Sequence, residues 1–414
     1  MRILIYGINY WPELTGVGKY TGEMAEWLAA RGHDVRVVTA PPYYPQWKTA
    51  EGYSAWRYHR QSHAEVKIQR CPTWIPKKLT LFTRLVHLLS FAITSAPVIL
   101  WQAYQYPPDV VMVIQPPMFG VPIGWLAAKL ARAKAWLHIQ DDELEAAFEL
   151  GFLRTRWLYR LCQRGERFLL NRFDRISSIS PRMLNRLEHK GICTDKQTLF
   201  PNWVDTQTIF PLNGDNPFRK ELGFSGQDVV ALYAGNMGRK QGLEILLKVA
   251  RLLRDHPAIQ LVLSGDGSTR RALMEKAAGL TNVRFLPLQP VERLNLLLNV
   301  ADIHLLIQGP HGANAFMPSK FLGMLASGRP VIATELPDTP IADAIEGSGV
   351  LVAPGDSEGL AKVLLELSAD PGRRACLGQE GRRLAVAMWH KDTLLRQCEE
   401  QLKANQSQKI VAGA

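Results

Sequence analysis

The chain has 414 residues, 47% of them apolar and 21% charged, with no low-complexity tract. Such a composition sets aside disordered and fibrous classes and leaves a globular protein with sizeable cores, in two domains or a large single one. A formal net charge of +11 fits an anionic partner (nucleic acid, acidic lipid or a phosphorylated substrate) as well as it fits a solvated basic surface.

In chain order, RILIYGI at the start is a short apolar run, and MRILIYGINYWPE reads as a strand entering a loop, without a signal-peptide apolar run or cleavage site. A helix is predicted from about Tyr20 to Ala30, ended by Gly32, and DVRVVTA is a second strand. DVVMVIQPP, AWLHIQD and RISSISP continue the rhythm. VVALYAGN, IQLVLSGDG, NVRFLPL, DIHLLIQG, RPVIATE and GVLVAPGD repeat it in the second half. Short continuous apolar strands alternating with helices predict an α/β protein with parallel sheets covered on both faces. The turn formers of FPLNGDNPFRKELGF mark a boundary. The expectation is two Rossmann-like domains facing across a cleft, with ligands at the carboxyl ends of the strands.

From Leu85 to Pro108 there is no Asp, Glu, Lys or Arg. The length would cross a bilayer, but Pro97, His87 and several hydroxyl residues weaken that reading, and the segment lies between strands of one domain. Upstream, Lys67, Arg70, Lys77, Lys78 and Arg84 alternate with Trp74 and Phe82. Cations beside aromatic and apolar residues suit a segment lying in an anionic membrane interface, which is the expectation here; a buried core helix after a solvated loop is the other reading. The five cysteines are scattered without a CxxC, which indicates neither a zinc site nor a disulfide framework and suits a reducing cytoplasm.

Three strand–glycine–helix junctions carry candidate chemistry. In LYAGNMGRKQGLE, Gly235, Gly238 and Gly242 would let the backbone approach a ligand, and Arg239 and Lys240 add charge beside a helix start. A diphosphate is the natural guest, although the pattern is neither GxxxxGK[ST] nor GxGxxG, and a tight turn with exposed cations fits equally well. NYWPELTGVGKYTGEMAEWL places Gly16 and Gly18 before a helix, where a plain helix cap is the alternative. SGDGSTRRALMEKAA places Asp266 between Gly265 and Gly267. In MPSKFLGMLASGRPVIAT, Ser319 opens a helix and Lys320 sits in its first turn, where a cation opposes the helix dipole. That position points to an anion shared by the lysine and the helix terminus.

Taken together, the Gly16–Gly18 loop, PNWVD, YAGNMGRKQGLE, LVLSGDG, NVRFLPL and PSKFLGMLASGRPVIA resemble family 4 of the retaining glycosyltransferases. The resemblance covers nearly the whole chain and is closest to the colanic-acid-type exopolysaccharide fucosyltransferases. It implies the GT-B fold, with residues 1–210 as an acceptor-binding domain that includes a membrane-facing segment at about 67–108. Residues 211–385 would form the nucleotide-sugar domain, and 386–414 a helix and tail returning to the first domain. The same resemblance implies donor contacts from Gly16, Gly18, Asn236, Arg239, Lys240, Gly265, Asp266, Leu286, Ser319 and Lys320. His138 would lie beside the donor sugar, with Asp141 and Asp142 toward the acceptor.

The implied reaction moves a sugar, fucose from GDP-fucose, onto an undecaprenyl-diphosphate-linked oligosaccharide, without a metal or other cofactor. It would take place on the inner face of the cytoplasmic membrane, with no nucleic-acid partner. Two departures stand out: Ala315 and Gly323 occupy the places of the two glutamates usual in the family, and Asn236 and Gln241 those of its separated cations. A nucleotide-sugar epimerase on the same fold, or a catalytically silent membrane-bound binding protein, are the rival readings.

Overall fold

The computed structural model describes residues 1–78, 80–141, 156–212, 214, 216–309, 318–337 and 339–411. The protein has a two-domain α/β fold with two sheets. One compact unit comprises Met1–Asn202 with Leu394–Ala414, the other Trp203–Thr393.

The first unit is built on β1 (Arg2–Tyr6), β2 (Asp34–Thr39), β3 (His59–His63), β4 (Val66–Arg70), β5 (Val110–Gln115), β6 (Lys134–Ile139), β7 (Arg175–Ser178) and β8 (Gln197–Leu199). They run in the order β3-β4-β2-β1-β5-β6-β7-β8. All neighbours are parallel except β3 and β4, which pair antiparallel from His59↔Arg70 to His63↔Val66. β5, VVMVIQ, is buried at every position, as a strand covered on both faces must be. β3 and β4 fall in HRQSH and VKIQR, stretches too polar to announce themselves as strands; cross-strand pairing makes them.

The chargeless segment forms the helix Leu81–Gln105, started by a reciprocal capping box between Thr80 and Thr83. Its inner face, His87, Leu88, Phe91, Ala92, Ser95, Ile99 and Ala103, is buried. Phe91 stacks on Tyr6 of β1 at 5.6 Å, and Ser95 Oγ and Tyr6 Oη lie 2.7 Å apart. The helix is long and apolar enough to cross a membrane, yet one face is buried and meets Tyr6 of the sheet through Phe91 and Ser95. Its outer face exposes Phe82, Leu85, Leu89, Ile93, Trp101 and Tyr104, spaced as one helical stripe.

The second unit contains β9 (Val229–Ala234), β10 (Ile259–Ser264), β11 (Val283–Leu286), β12 (Ile303–Ile307), β13 (Val331–Thr334) and β14 (Gly349–Val352). All are parallel, in the order β11-β10-β9-β12-β13-β14. This is the doubly wound order whose direction reverses between β9 and β12, opening a crevice at their carboxyl ends.

The division falls ahead of the turn-rich stretch around Pro211. Val204 N donates to Trp389 O at 2.9 Å, and Arg382 reaches Thr206 O and Ile209 O at 2.8 and 2.7 Å. These bonds hold the start of the second unit against its own helix Pro371–Trp389. The terminal helix Lys391–Val411 crosses the second division. In the first unit its Glu399 meets Arg31 at 2.8 Å and His33 at 2.9 Å. Burial opposes that charge, but Lys403, His33 and Arg31 hold the carboxyl down at about 2.

Candidate functional site

The second unit's candidate residues gather at the carboxyl ends of β9, β10, β11 and β12. β9 ends at Ala234, and Gly235 N still donates to Ser264 O at the end of β10, at 2.9 Å. Gly265 has φ +137, and a Cβ there would lie 2.0 Å from Gly235 O. Glycine is therefore required twice over at 265, by backbone conformation and by space. One residue on, Met237 N donates to Asp266 O at 2.8 Å, while Thr269 N and Oγ1 donate to Met237 O at 2.9 and 2.6 Å. The loops after β9 and β10 thus form one backbone-to-backbone layer. Asp266 turns its carboxylate onto Gly267 N at 2.8 Å, and Leu286 O, ending β11, accepts from Gly265 N at 3.2 Å.

Beyond Gly238 the chain makes a single 3-10 turn, Arg239–Gln241, and then the helix Glu244–Leu252 begins. Lys240 O approaches Gly309, just past β12, so closely that a Cβ on Gly309 would lie 2.7 Å from it. The two strands flanking the order reversal are therefore capped by touching loops. Asn236, Arg239 and Lys240 are exposed here, and neither the Arg239 nor the Lys240 side chain has a hydrogen bond or ion pair with a described residue.

Lys320 completes this layer. It is the second residue of the helix Ser319–Ala326, whose first turn has no acidic residue and whose N-cap, Pro318, offers no capping side chain. Its half-buried side chain lies across Gly235: a Cβ there would be 3.5 Å from Lys320 Cδ and 3.7 Å from Nζ. The ammonium sits 4.5 Å from the centre of the Tyr233 ring, and Tyr233 Oη is fixed by donating to Asn236 O at 2.6 Å. No described carboxylate pairs with Nζ, and burial lowers its pKa to about 8. A desolvated cation with no counter-charge among the described residues, beside the N-terminus of a helix without a side-chain cap, suits an anion. Sequence patterns located Lys320 and Ser319 but not Tyr233, because strand alternation carries no sign of which ring a distant lysine will cover.

Gly16, Gly18, His138 and Asp141 belong to the first unit. Gly16 opens the helix Gly16–Ala30 after the β1 loop, and Thr15 makes no capping bond. The space at Gly18 is taken by Glu13: a Cβ would lie 2.5 Å from its Oε2. Glu13, which no motif singled out, is buried and accepts from Tyr43 N and Tyr44 N at 3.0 Å each and from Asn9 Nδ2 at 2.9 Å. Burial raises its pKa although those bonds favour the charge.

His138 is the penultimate residue of β6 and is buried. Its Nδ1 lies 2.9 Å from Ser177 Oγ, which also accepts from Trp136 Nε1 at 2.8 Å. Burial lowers its pKa to about 3, so the imidazole is neutral near pH 7. It offers hydrogen bonding rather than charge. Asp141 follows β6 and is half-buried; Asp142 and Ala315 lie outside the described residues, and Gly323 is in the Ser319–Ala326 helix. Glu335, just past β13, is a second buried carboxylate that sequence reading missed. Its Oε1 accepts from Leu336 N at 2.9 Å, while Oε2 has no hydrogen-bond partner among the described residues. Among the described residues no group of three or more His, Cys, Asp or Glu is placed to hold a metal ion.

Residues 15–203 match the Glycosyl transferase 4-like domain, and residues 228–370 match Glycosyl transferases group 1. Over 407 residues the chain is 39% identical to WcaI of Escherichia coli K12, named as a glycosyl transferase of colanic acid biosynthesis, covering 96% of this chain and 98% of that protein. Among solved structures, sucrose-phosphate synthase from Thermosynechococcus elongatus superposes with a TM-score of 0.74 at 18% identity, covering 100% of both chains. HepE of Anabaena in complex with UDP gives 0.71 at 15% identity, covering 98% of this chain and 100% of that one. WaaG, a glycosyltransferase of lipopolysaccharide biosynthesis, gives 0.64 at 17%, covering 97% and 99%. At such identities the structures show a shared fold.

Proposed function

The chain belongs to the glycosyltransferases of the group 1 and 4-like families, and from that premise we propose that it moves a glycosyl group from a nucleoside diphosphate sugar to a hydroxyl of a lipid-linked oligosaccharide during exopolysaccharide synthesis. The donor we propose is GDP-fucose, with retention of configuration. The observation that carries the donor class is the Lys320 ammonium over Tyr233, without an ion-pair partner among the described residues, beside Gly235 at the β9–β12 switch point.

When the sugar–phosphate bond breaks, negative charge grows on the diphosphate. A fixed cation and a helix terminus already aimed at that charge stabilise it without reorganising. Arg239 and Lys240, exposed in the adjoining turn, add attraction at longer range. In this reading the counter-charge comes from the chain itself and not from a metal ion. We further propose front-face attack, with the leaving phosphate taking the acceptor proton and His138, neutral, supplying a hydrogen bond. Gly16, Gly18 and Asp141 are proposed on the sugar and acceptor side. The exposed stripe of the helix Leu81–Gln105 supports peripheral attachment to an anionic membrane, which would bring the enzyme to a lipid-linked acceptor.

The test is a panel of GDP-, UDP- and dTDP-sugars read by thermal shift and by donor hydrolysis. GDP-fucose should raise the melting temperature and be turned over, since a ligand that binds only the folded state stabilises it. If no donor shifts the melt and none is consumed, the transferase reading of this site is wrong.

Lys320 also sets a pH dependence. Its pKa in the free protein is about 8, below the ordinary lysine value, and only the protonated form attracts a diphosphate. Donor KM should therefore be flat below that point and rise by about tenfold per pH unit above it, the slope of one coupled proton. Initial-rate kinetics from pH 6 to 10 check this. A Lys320→Arg variant, which stays charged, should lose the alkaline rise; a rise that persists in the variant assigns it elsewhere.

A further inference from the structure

A cavity of about 480 Å³ lies in the first unit, over the β2, β3 and β4 side of the sheet. It is lined by Arg36, Arg60 and Lys67 together with Gln69, Trp101 and Tyr106, among others. Sheet register explains the cations. Arg36 of β2 is opposite Lys67 of β4, and Arg60 of β3 is opposite Gln69 of β4. In a pleated sheet, residues paired across strands share a face, and so do positions two apart. Arg36, Lys67, Gln69 and Arg60 therefore project from one face.

Each cation is partly held in place. Arg36 stacks on Tyr106 at 3.7 Å, and Arg60 Nε donates to Gln69 Oε1 at 2.9 Å. Asp34 stands 3.6 Å from Arg36 and 3.0 Å from Lys67. One carboxylate against these cations leaves an excess of positive charge around an open volume. Guanidinium groups fixed by stacking and hydrogen bonding suit the oxygens of a phosphate.

Trp101 belongs both to the cavity wall and to the exposed stripe Phe82, Leu85, Leu89, Ile93, Trp101 and Tyr104. At the other end of the same helix stand the exposed Lys77 and Lys78. The helix thus carries an apolar face with positive charge at both ends, and at one end that charge surrounds a cavity. We propose that this cavity seats the phosphate headgroup of an anionic phospholipid while the stripe rests among the acyl chains. The proposal deepens the membrane-attachment part of the functional reading and rests on it.

Co-sedimentation separates the two claims, comparing vesicles of phosphatidylcholine alone with mixed phosphatidylglycerol–phosphatidylcholine vesicles. The wild-type protein should prefer the mixed vesicles by about tenfold or more, the scale expected for a few cations at an anionic surface. Arg60→Gln/Lys67→Gln should lose most of that preference and keep normal donor hydrolysis, since neither residue belongs to the donor site. Lys77→Gln/Lys78→Gln makes the same charge change at the far end and should keep most of it. Equal losses in the two pairs would mean general surface attraction and would overturn the seat. A thermal shift with inorganic phosphate, abolished by the Arg60/Lys67 pair while wild type shows no preference for mixed vesicles, would assign the cavity to a soluble phosphate and overturn the lipid. Phe82→Ser/Ile93→Ser probes attachment itself and should weaken binding to both vesicle types. A wild-type protein that binds no vesicle would sink both claims.

Discussion

Lys320→Ala should lower kcat/KM for the donor by roughly two to three orders of magnitude, the usual cost of removing one preorganised group that meets charge developing in a transition state. The fold should survive the change. The Lys320 side chain makes no hydrogen bond or ion pair with a described residue; it lies over Tyr233 and against Gly235.

Linkage adds a sign to that expectation. Burial lowers the folded-state pKa to about 8, so the folded protein binds this proton less tightly than the unfolded chain does. The charged lysine therefore destabilises the donor-free protein below that pH, by something on the order of 3 kcal/mol, and the cost fades as pH rises toward the ordinary lysine value. At pH 7 the alanine variant should melt no lower than wild type, because relief of the buried charge offsets the lost packing of the stem. The donor-induced melting shift should vanish. Turnover near the wild-type level, with an intact donor shift, would remove Lys320 from the site.

Gly265→Val should be the most damaging single change to the second unit. The substituted Cβ meets Gly235 O at 2.0 Å, a contact between two strand ends that are themselves hydrogen-bonded. Neither backbone can move without parting β9 from β10. Strain at φ +137 adds to the clash. A loss of roughly 3–5 kcal/mol is expected, in the range reserved for overpacked backbone sites.

Gly279→Val supplies the comparison. Gly279 also has a positive φ, +85, but nothing lies within 4 Å of its Cβ position. That variant should lose only about 1–2 kcal/mol, from the backbone alone. Urea melts of both proteins measure the difference. Equal destabilisation would show that the close approach between the β9 and β10 loops contributes nothing. Donor binding should fail in Gly265→Val even where the fold persists, because the same layer carries Gly235 under Lys320.

Local pattern alone was enough for the strands of both sheets whose residues are apolar on both faces. Runs such as VVMVIQ and IQLVLS need no partner to be recognised, since burial on two sides removes polar residues from the run itself. Glycine after a strand and before a helix likewise marked the loops at 235–242 and 265–267, and a lysine misplaced for its helix dipole marked 320. Each of these signals is carried by residues close in sequence.

Contacts between distant residues decided the rest. That Lys320 lies on Tyr233, that Glu13 fills the space at Gly18, and that Glu335 is buried depend on loops meeting after the strands have paired. The polar strands β3 and β4 exist through each other, and only their register gathers Arg36, Arg60 and Lys67 around one cavity. The chargeless stretch showed its length and apolarity in the sequence. Which of its faces is bonded to Tyr6 and which is left exposed was settled by packing on the sheet, because helical periodicity distinguishes two faces only when something covers one of them.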